Sequence, residues 1–264
     1  MFFSKNPKKI INRRDGYLVV VIGWLTMVFS GTLPYIFTNT IDNVPDLIFE
    51  TMSGYTTTGS SIISDIEALP ESIIFWRSMT HWLGGMGIIV LAIAILPMLG
   101  IGGMQLFSAE APGSGISGDK IHPRISNTAK RLWFIYFGLT LLETLLLNIA
   151  GMSFFDAINH SMSNIATGGF STKNDSLSFW NSMPQIQYII IFFMILAGTN
   201  FLLIYLSLIG KFKKLFYNTE FIWFLGLIAS FVLITTVILN SNVNLDSTNF
   251  NHPQIFGKLE ASFR

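Results

Sequence analysis

The chain has 264 residues, 51% hydrophobic and only 12% charged, with a net charge of +1 and no cysteine. A charged fraction about half the roughly 25% of soluble domains indicates an integral membrane protein. The missing basic stripe argues against a nucleic-acid partner, and the missing thiols exclude disulfides, thiol catalysis and Cys-ligated zinc.

A membrane span needs about 20 mostly apolar residues. Tyr17–Phe37 is the first such segment; it follows a basic N-terminus and is too long for a cleavable h-region, so it is expected to be a span. Val44–Tyr55 comes next, too short and too polar to cross. Ile73–Leu99 is the second span, and Gly100–Lys130 is a long, Gly-rich linker of mixed charge. Leu132–Gly151 is the third span, Ser153–Ile165 a second short segment, Ile186–Ile209 the fourth span and Phe221–Leu239 the fifth. A polar stretch, Asn240–Pro253, and then Gln254–Arg264 complete the chain.

The two short segments are copies of each other. Pro45–Ser61, PDLIFETMSGYTTTGSS, recurs 110 positions later as Phe155–Ser171, FDAINHSMSNIATGGFS. The identical pairs are Asp46/Asp156, Ile48/Ile158, Met52/Met162, Ser53/Ser163, Thr57/Thr167, Gly59/Gly169 and Ser61/Ser171. A second echo pairs Phe75–Met79, FWRSM, with Phe179–Met183, FWNSM, at an offset of 104. A short, weakly apolar helix running into Thr-x-Gly, twice, between spans, predicts re-entrant pore loops and hence ion permeation. Non-helical backbone at membrane depth is tolerated where it is buried in protein or lines water, and its carbonyls can then replace the hydration shell of a cation. Glycine lets those carbonyls turn inward without a Cβ clash. The C-terminal end of a short helix adds partial negative charge beside the cation.

Charge sets the orientation. With a cytoplasmic N-terminus, the inner stretches hold Lys5, Lys8, Lys9, Arg13, Arg14, Lys120, Arg124, Lys130, Arg131, Lys211, Lys213 and Lys214, which is 12 of the 16 basic residues. The outer stretches hold Asp42, Asp46, Glu50, Asp65, Glu67, Glu71, Asp156, Asp175, Asp246 and Glu260, which is 10 of the 15 acids. The split holds only if both short segments return to the side they enter from. The outer acids either concentrate cations at a pore mouth or form a solvated loop face.

MSGYTTTGSS (Met52–Ser61), HWLGGMGI (His81–Ile88), SAEAPG (Ser108–Gly113), DKIHPRISNTAKRLWFIYFGLTLLE (Asp119–Glu143) and ATGGFST (Ala166–Thr172) together resemble the TrkH/KtrB superfamily of potassium uptake proteins, and most closely its TrkH branch. The resemblance implies an all-α integral membrane fold of repeated M1–pore helix–M2 units like those of potassium channels. The expected organisation is a first unit at 1–100, a cytoplasmic linker at 101–130, a second unit at 131–210, and the first span of a third unit with the start of its outer segment at 211–264.

By resemblance, Thr57, Thr58, Gly59 and Ser60 form the first filter strand and Thr167, Gly168, Gly169 and Phe170 the second, with K+ held by backbone carbonyls. Glycine rather than serine at Gly59 favours potassium over sodium. The family further implies a multi-pass protein of the bacterial inner membrane, a homodimer, and a cytoplasmic nucleotide-binding regulatory subunit of the TrkA/KtrA type. Lys120, Arg124, Lys130 and Arg131 either meet that subunit or serve only as positive-inside charge. No cofactor and no transition-metal site is implied. Family members have four units, so this sequence is expected to be a truncated product, with gene fragmentation or a frameshift as the alternatives; its two of four strands are not expected to encircle an ion unless the chain pairs with something else.

Glu143, in mid-span, is either functional, as intramembrane ionisable groups are by default, or a tie between helices; the tie is expected, since nothing in the sequence places it near a filter strand. Gly84, Gly85 and Gly87 predict close helix packing, with a hinge as the sharper option. Asn200 is expected to bond between helices, or else to face the pore. Arg77 and His81, one turn apart near the outer end of a span, are expected to snorkel to the interface. His81, His122, His160 and His252 lack the spacing of a metal site. Trp24, Trp76, Trp82, Trp133, Trp180 and Trp223 fall toward span ends, as belt residues do. The alternatives are a nonconducting remnant and a membrane-embedded enzyme. The enzyme is disfavoured because no nucleophile–base pair sits beside the Thr-x-Gly turns.

Overall fold

A computed structural model describes residues 13–94 and 125–241. The linker from 95 to 124, the tail from 242, and the expectations resting on Lys120, Arg124, His122 and His252 lie outside the described residues. Two compact units make up the chain, one ending at Leu202 and one beginning at Leu203. The described residues are helical with connecting turns and carry no strand.

In the first unit, α1 (Arg13–Gly31) and α2 (Leu33–Thr38) together supply one apolar span, Val20–Thr38. Pro34 marks the junction: it lacks an N–H and starts a fresh helix at its first turn. Asn39, in the left-handed region at φ 49°, ends α2. The short helix α3 (Val44–Tyr55) then begins at Asn43, an extended N-cap residue whose amide donates to Asp46 Oδ2 at 2.9 Å. Its bounds are those expected from the sequence.

The long helix α4 (Glu71–Ala94) returns through the fold. It carries Arg77, Ser78, Thr80 and His81 as buried side chains turned into the protein, which is how a helix with so many polar groups lies among spans.

The second unit of the repeat is built alike. Span α5 (Ile125–Ile149) leads to the short helix α6 (Phe154–Ile165). Ser153 caps α6 by accepting from the Asp156 backbone N–H at 3.1 Å, while its hydroxyl donates to Asp156 Oδ2 at 2.7 Å. A 3-10 turn (Ser176–Trp180) precedes α7 (Pro184–Gly198).

The expected fourth span, Ile186–Ile209, is therefore not one helix. It breaks at Thr199–Asn200, and α8 (Phe201–Leu208) starts afresh. Asn200 Oδ1 accepts from the Leu202 backbone N–H at 3.0 Å, so Asn200 caps a helix start. This capping role is one the sequence reading did not assign to it.

Helix α4 packs against α3, α5 and α6, and α5 packs against α6 and α7. Met86, Tyr136, Ile165, Phe193 and Ala197 form one apolar cluster at the junction of these helices. Leu147, Met152, Trp180 and Ile186 form a second, within the second repeat.

Glycines permit the closest approach. A Cβ at Gly84 would collide with the Tyr55 carbonyl oxygen at the end of α3, and one at Gly85 would lie 2.9 Å from the Tyr136 hydroxyl and 3.2 Å from Ala166 Cα. The predicted small-residue face is thus real at these two positions; Gly87 has open space in front of it. Gly84→Ala is accordingly expected to destabilise the fold by about 1–3 kcal/mol through overpacking against backbone, with Gly87→Ala near neutral, read by thermal unfolding in detergent.

In the second unit of the chain, α9 (Phe212–Phe216) precedes α10 (Thr219–Ser241). The Thr219–Ile238 stretch of α10 is an apolar span whose side chains are unburied within the described residues. By length and composition, Val20–Thr38, Arg131–Ile149 and Thr219–Ile238 are able to cross a membrane. The chain is a multi-pass membrane protein.

A candidate ion site where the two repeated loops meet

Each short helix ends in the same backbone figure. After α3, the Thr57 N–H donates to the Gly54 carbonyl at 3.1 Å and the Thr58 N–H to the Ser53 carbonyl at 3.0 Å. After α6, the Thr167 and Gly168 N–H groups donate to Asn164 and Ser163 at 2.8 Å each. Thr57 and Thr167 then take φ values of 55° and 57°, and Gly59 and Gly169 take 75° and 91°. A β-branched residue in the left-handed region is a costly conformation, and its recurrence at matched positions belongs to the loop's design. The C-terminal ends of two 12-residue helices therefore deliver two strands of identical construction.

The strands lie side by side: a Cβ at Gly59 would collide with the Gly168 carbonyl oxygen. At Gly169 a Cβ would meet nothing within 4 Å. Thr58, Ser60, Thr167 and Gly169 are exposed, whereas the last turns of α3 and α6 behind them are largely buried. The second strand, Thr167 to Phe170, lines a cavity of about 360 Å³ with His160, Asn164, Leu177, Ile190 and Met194.

Among the described residues, no hydrogen bond is accepted by the carbonyls of Thr57, Thr58, Gly59, Thr167, Gly168 or Gly169. Ser60 differs, since its carbonyl accepts from the Ser53 hydroxyl at 2.6 Å. A row of unspent carbonyl dipoles at the negative ends of two helices suits a dehydrated cation.

Behind the first strand lies a buried ion pair. Arg77 Nε donates to Glu50 Oε1 at 2.9 Å, with the side chains 1% and 0% exposed. The Ser61 hydroxyl bonds to the same carboxylate at 3.0 Å, the Ile62 N–H donates to Glu50 Oε2 at 3.0 Å, and Arg77 Nη2 donates to Ser61 Oγ at 2.9 Å.

Behind the second strand, the repeat-equivalent positions hold His160 and Ser171, whose Nε2 and Oγ lie 3.4 Å apart. Thr172 Oγ1 donates to Asp156 Oδ1 at 2.6 Å. His81 reaches across from α4, with Nδ1 2.9 Å from Ser163 Oγ and its ring stacked on Phe170 at 3.9 Å. Arg77 also lies over the Phe170 ring, at 4.3 Å.

Arg77 and His81 are thus enclosed beside the two strands, and neither snorkels. A guanidinium whose carboxylate partner lies on a neighbouring helix, 27 residues away, has no reason to seek the interface.

Glu143 is hydrogen-bonded between helices, as the structural reading expected, but it is not remote from the strands. Asn164 Nδ2 donates to Glu143 Oε1 at 2.6 Å, and Asn164 stands three residues before Thr167. The tryptophans divide. Trp133 and Trp223 are exposed, whereas Trp76 donates to the Gly31 carbonyl at 3.0 Å, Trp82 donates to Thr140 Oγ1 at 3.2 Å, and Trp180 is buried.

The loops that follow the two strands are strapped together. Asn174 accepts from the Ile66 N–H at 2.7 Å and donates to Asp65 Oδ1 at 2.9 Å. That donated bond holds the Asp65 carboxyl below its ordinary range. Lys173 pairs with Glu67 at 3.6 Å.

The family described as "TrkH: Cation transport protein" matches residues 1–247. The potassium uptake protein TrkH of the Trk system from Salmonella typhimurium is 44% identical over 238 residues, covering 89% of this chain and 49% of the relative. Its counterpart from Vibrio parahaemolyticus is 45% identical over 203 residues, covering 76% of this chain and 41% of the relative. The crystal structure of the potassium transporter TrkH from Vibrio parahaemolyticus superimposes with a TM-score of 0.79 over 98% of this chain and 51% of that one, at 35% identity across this longer alignment. The chain spans about half the length of the relatives it matches.

Proposed function

The chain belongs to the TrkH family of cation transport proteins, and from that premise we propose that it supplies two adjacent strands of a potassium-selective filter. The observation that carries this reading is the contact between the loops: two Thr-x-Gly strands, 110 residues apart in sequence, meet at Gly59 and Gly168. In this reading Thr57, Thr58, Gly59, Ser60, Thr167, Gly168, Gly169 and Phe170 contribute backbone oxygen to K+. Ser60 has one lone pair already engaged by Ser53. The printed names of the relatives, potassium uptake proteins of a Trk system, support potassium as the ion.

The proposed organisation is a first M1–pore helix–M2 unit at 1–100, a linker at 101–130, a second unit at 131–210, and the opening span of a third at 211–264. The protein resides in a bacterial inner membrane with its N-terminus cytoplasmic, an orientation supported by the placement of 12 of 16 basic residues on one side. It works as a homodimer with a cytoplasmic nucleotide-binding subunit of the TrkA/KtrA type. A family of transporters leaves an enzymatic role without support.

The test joins this chain to the C-terminal half of Vibrio parahaemolyticus TrkH in a bacterium lacking its own potassium uptake. Growth at low potassium and rubidium uptake are expected, and Gly169→Arg, whose side chain enters the open space before the second strand, is expected to abolish both. Uptake unchanged by Gly169→Arg sinks the filter assignment; uptake of sodium alone sinks the ion assignment.

A further inference from the structure

The two strands are braced differently, and the difference falls on one pair of positions. Within the repeat, Glu50 corresponds to His160 at the 110-residue offset, and Arg77 to Asn181 at the 104-residue offset. Carboxylate and guanidinium are thus replaced together. Asn181 in the second copy accepts from Gln187 at 2.8 Å, and as a neutral amide it carries no charge to pair with a carboxylate.

What the second copy lacks, the first provides. Arg77 holds Glu50 and Ser61 behind strand one, and it also lies against Phe170 of strand two. His81, one turn along α4, stacks on the same ring and bonds to Ser163 at the base of strand two. Gly168 is packed so tightly against the His81 ring that no Cβ fits there.

A single helix face therefore touches both strands, and we infer that Arg77 is a positioning residue that sets the spacing of strand one against strand two, with His81 as its second point of contact. This inference rests on the filter reading above. A branched guanidinium is needed for it: Nε serves Glu50, Nη2 serves Ser61, and Cζ lies over the Phe170 ring, three demands that an ammonium point charge does not meet together. Selectivity in a carbonyl site depends on the number and placement of its dipoles, so a loosened brace admits the wrong ion before it stops the flow.

The experiment measures rubidium and sodium uptake by the joined transporter carrying Arg77→Lys, Phe170→Leu, and both changes. Arg77→Lys is expected to lower the rubidium-to-sodium ratio about tenfold, the scale of one lost charge-assisted hydrogen bond, while the maximal rate and the amount of protein in the membrane stay near wild type. Phe170→Leu is expected to lower the ratio in the same direction, and the double variant to be no worse than Arg77→Lys. Should Arg77→Lys fail to accumulate, Glu50→Gln/Arg77→Met, which leaves no charge unpaired, is read the same way. An unchanged ratio in the accumulating variant overturns the inference, as does a fall in protein amount alone. Failure of the filter reading is distinguished by Gly169→Arg, which then leaves uptake intact whatever happens at Arg77.

Discussion

Gly59→Ala is expected to reduce rubidium uptake by the joined transporter at least about a hundredfold, the scale on which small misplacements of a tuned site are felt. Two costs coincide at Gly59. Its φ of 75° lies where L side chains are strained, and its Cβ would strike the Gly168 carbonyl. The methyl group therefore displaces a carbonyl of the facing strand as well as its own loop. Gly169→Ala carries only the first cost, because the space before it is open, and a milder loss of about tenfold is expected from about 1–2 kcal/mol of backbone strain. Paired rubidium uptake measurements, normalised to membrane protein, check the order. Equal effects at the two glycines would mean that the strands do not meet as the structure has them.

Glu50→Leu is expected to destabilise the protein by about 3–5 kcal/mol, since it leaves the Arg77 guanidinium buried with only Ser61 to receive it. Adding Arg77→Met is expected to restore most of that loss, because two apolar side chains of similar volume commonly replace a buried pair at little cost. The loop pair of Lys173 and Glu67, 3.6 Å apart and partly exposed, is expected to contribute less than about 1 kcal/mol. Thermal unfolding of the single and double variants in detergent separates these cases. A double variant as unstable as Glu50→Leu would show that Glu50 acts through Ser61 and Ile62 more than through Arg77.

The two short helices were legible because repetition fixes them twice. A segment too short and too polar to span, appearing at a constant offset and ending each time in Thr-x-Gly, leaves little freedom, and α3 begins and ends where the sequence places it. The buttress behind the strands was not legible from local pattern. Arg77 and His81 are spaced like an interfacial pair near a helix end, and the partners that hold them inside, Glu50 on α3 and Phe170 on the second strand, are distant in sequence. A signal was nevertheless present in the repeat itself, where Glu50 with Arg77 becomes His160 with Asn181, a paired change of the kind that contacting residues make.

Glu143 was hidden for the same reason: its partner Asn164 belongs to another helix, 21 residues on. The break in the fourth span had a local signature in Gly198, Thr199 and Asn200, a helix-ending glycine followed by a capping asparagine, outweighed by the apolar run on both sides.

The absence of cysteine from this chain gives the most direct test. Single cysteines at Thr58, Ser60 and Gly169, introduced into the joined transporter with a cysteine-free C-terminal half, are modified from outside by a small cationic thiol reagent while rubidium uptake is followed. A cysteine at exposed Ile149, away from the two strands, serves as the control. The account predicts that the three strand cysteines block uptake on modification, that potassium but not sodium protects them, and that Ile149→Cys is silent. Modification of Ser60→Cys and Gly169→Cys with uptake and ion preference unchanged would contradict it, for the two repeated loops would then not line the path of the ion.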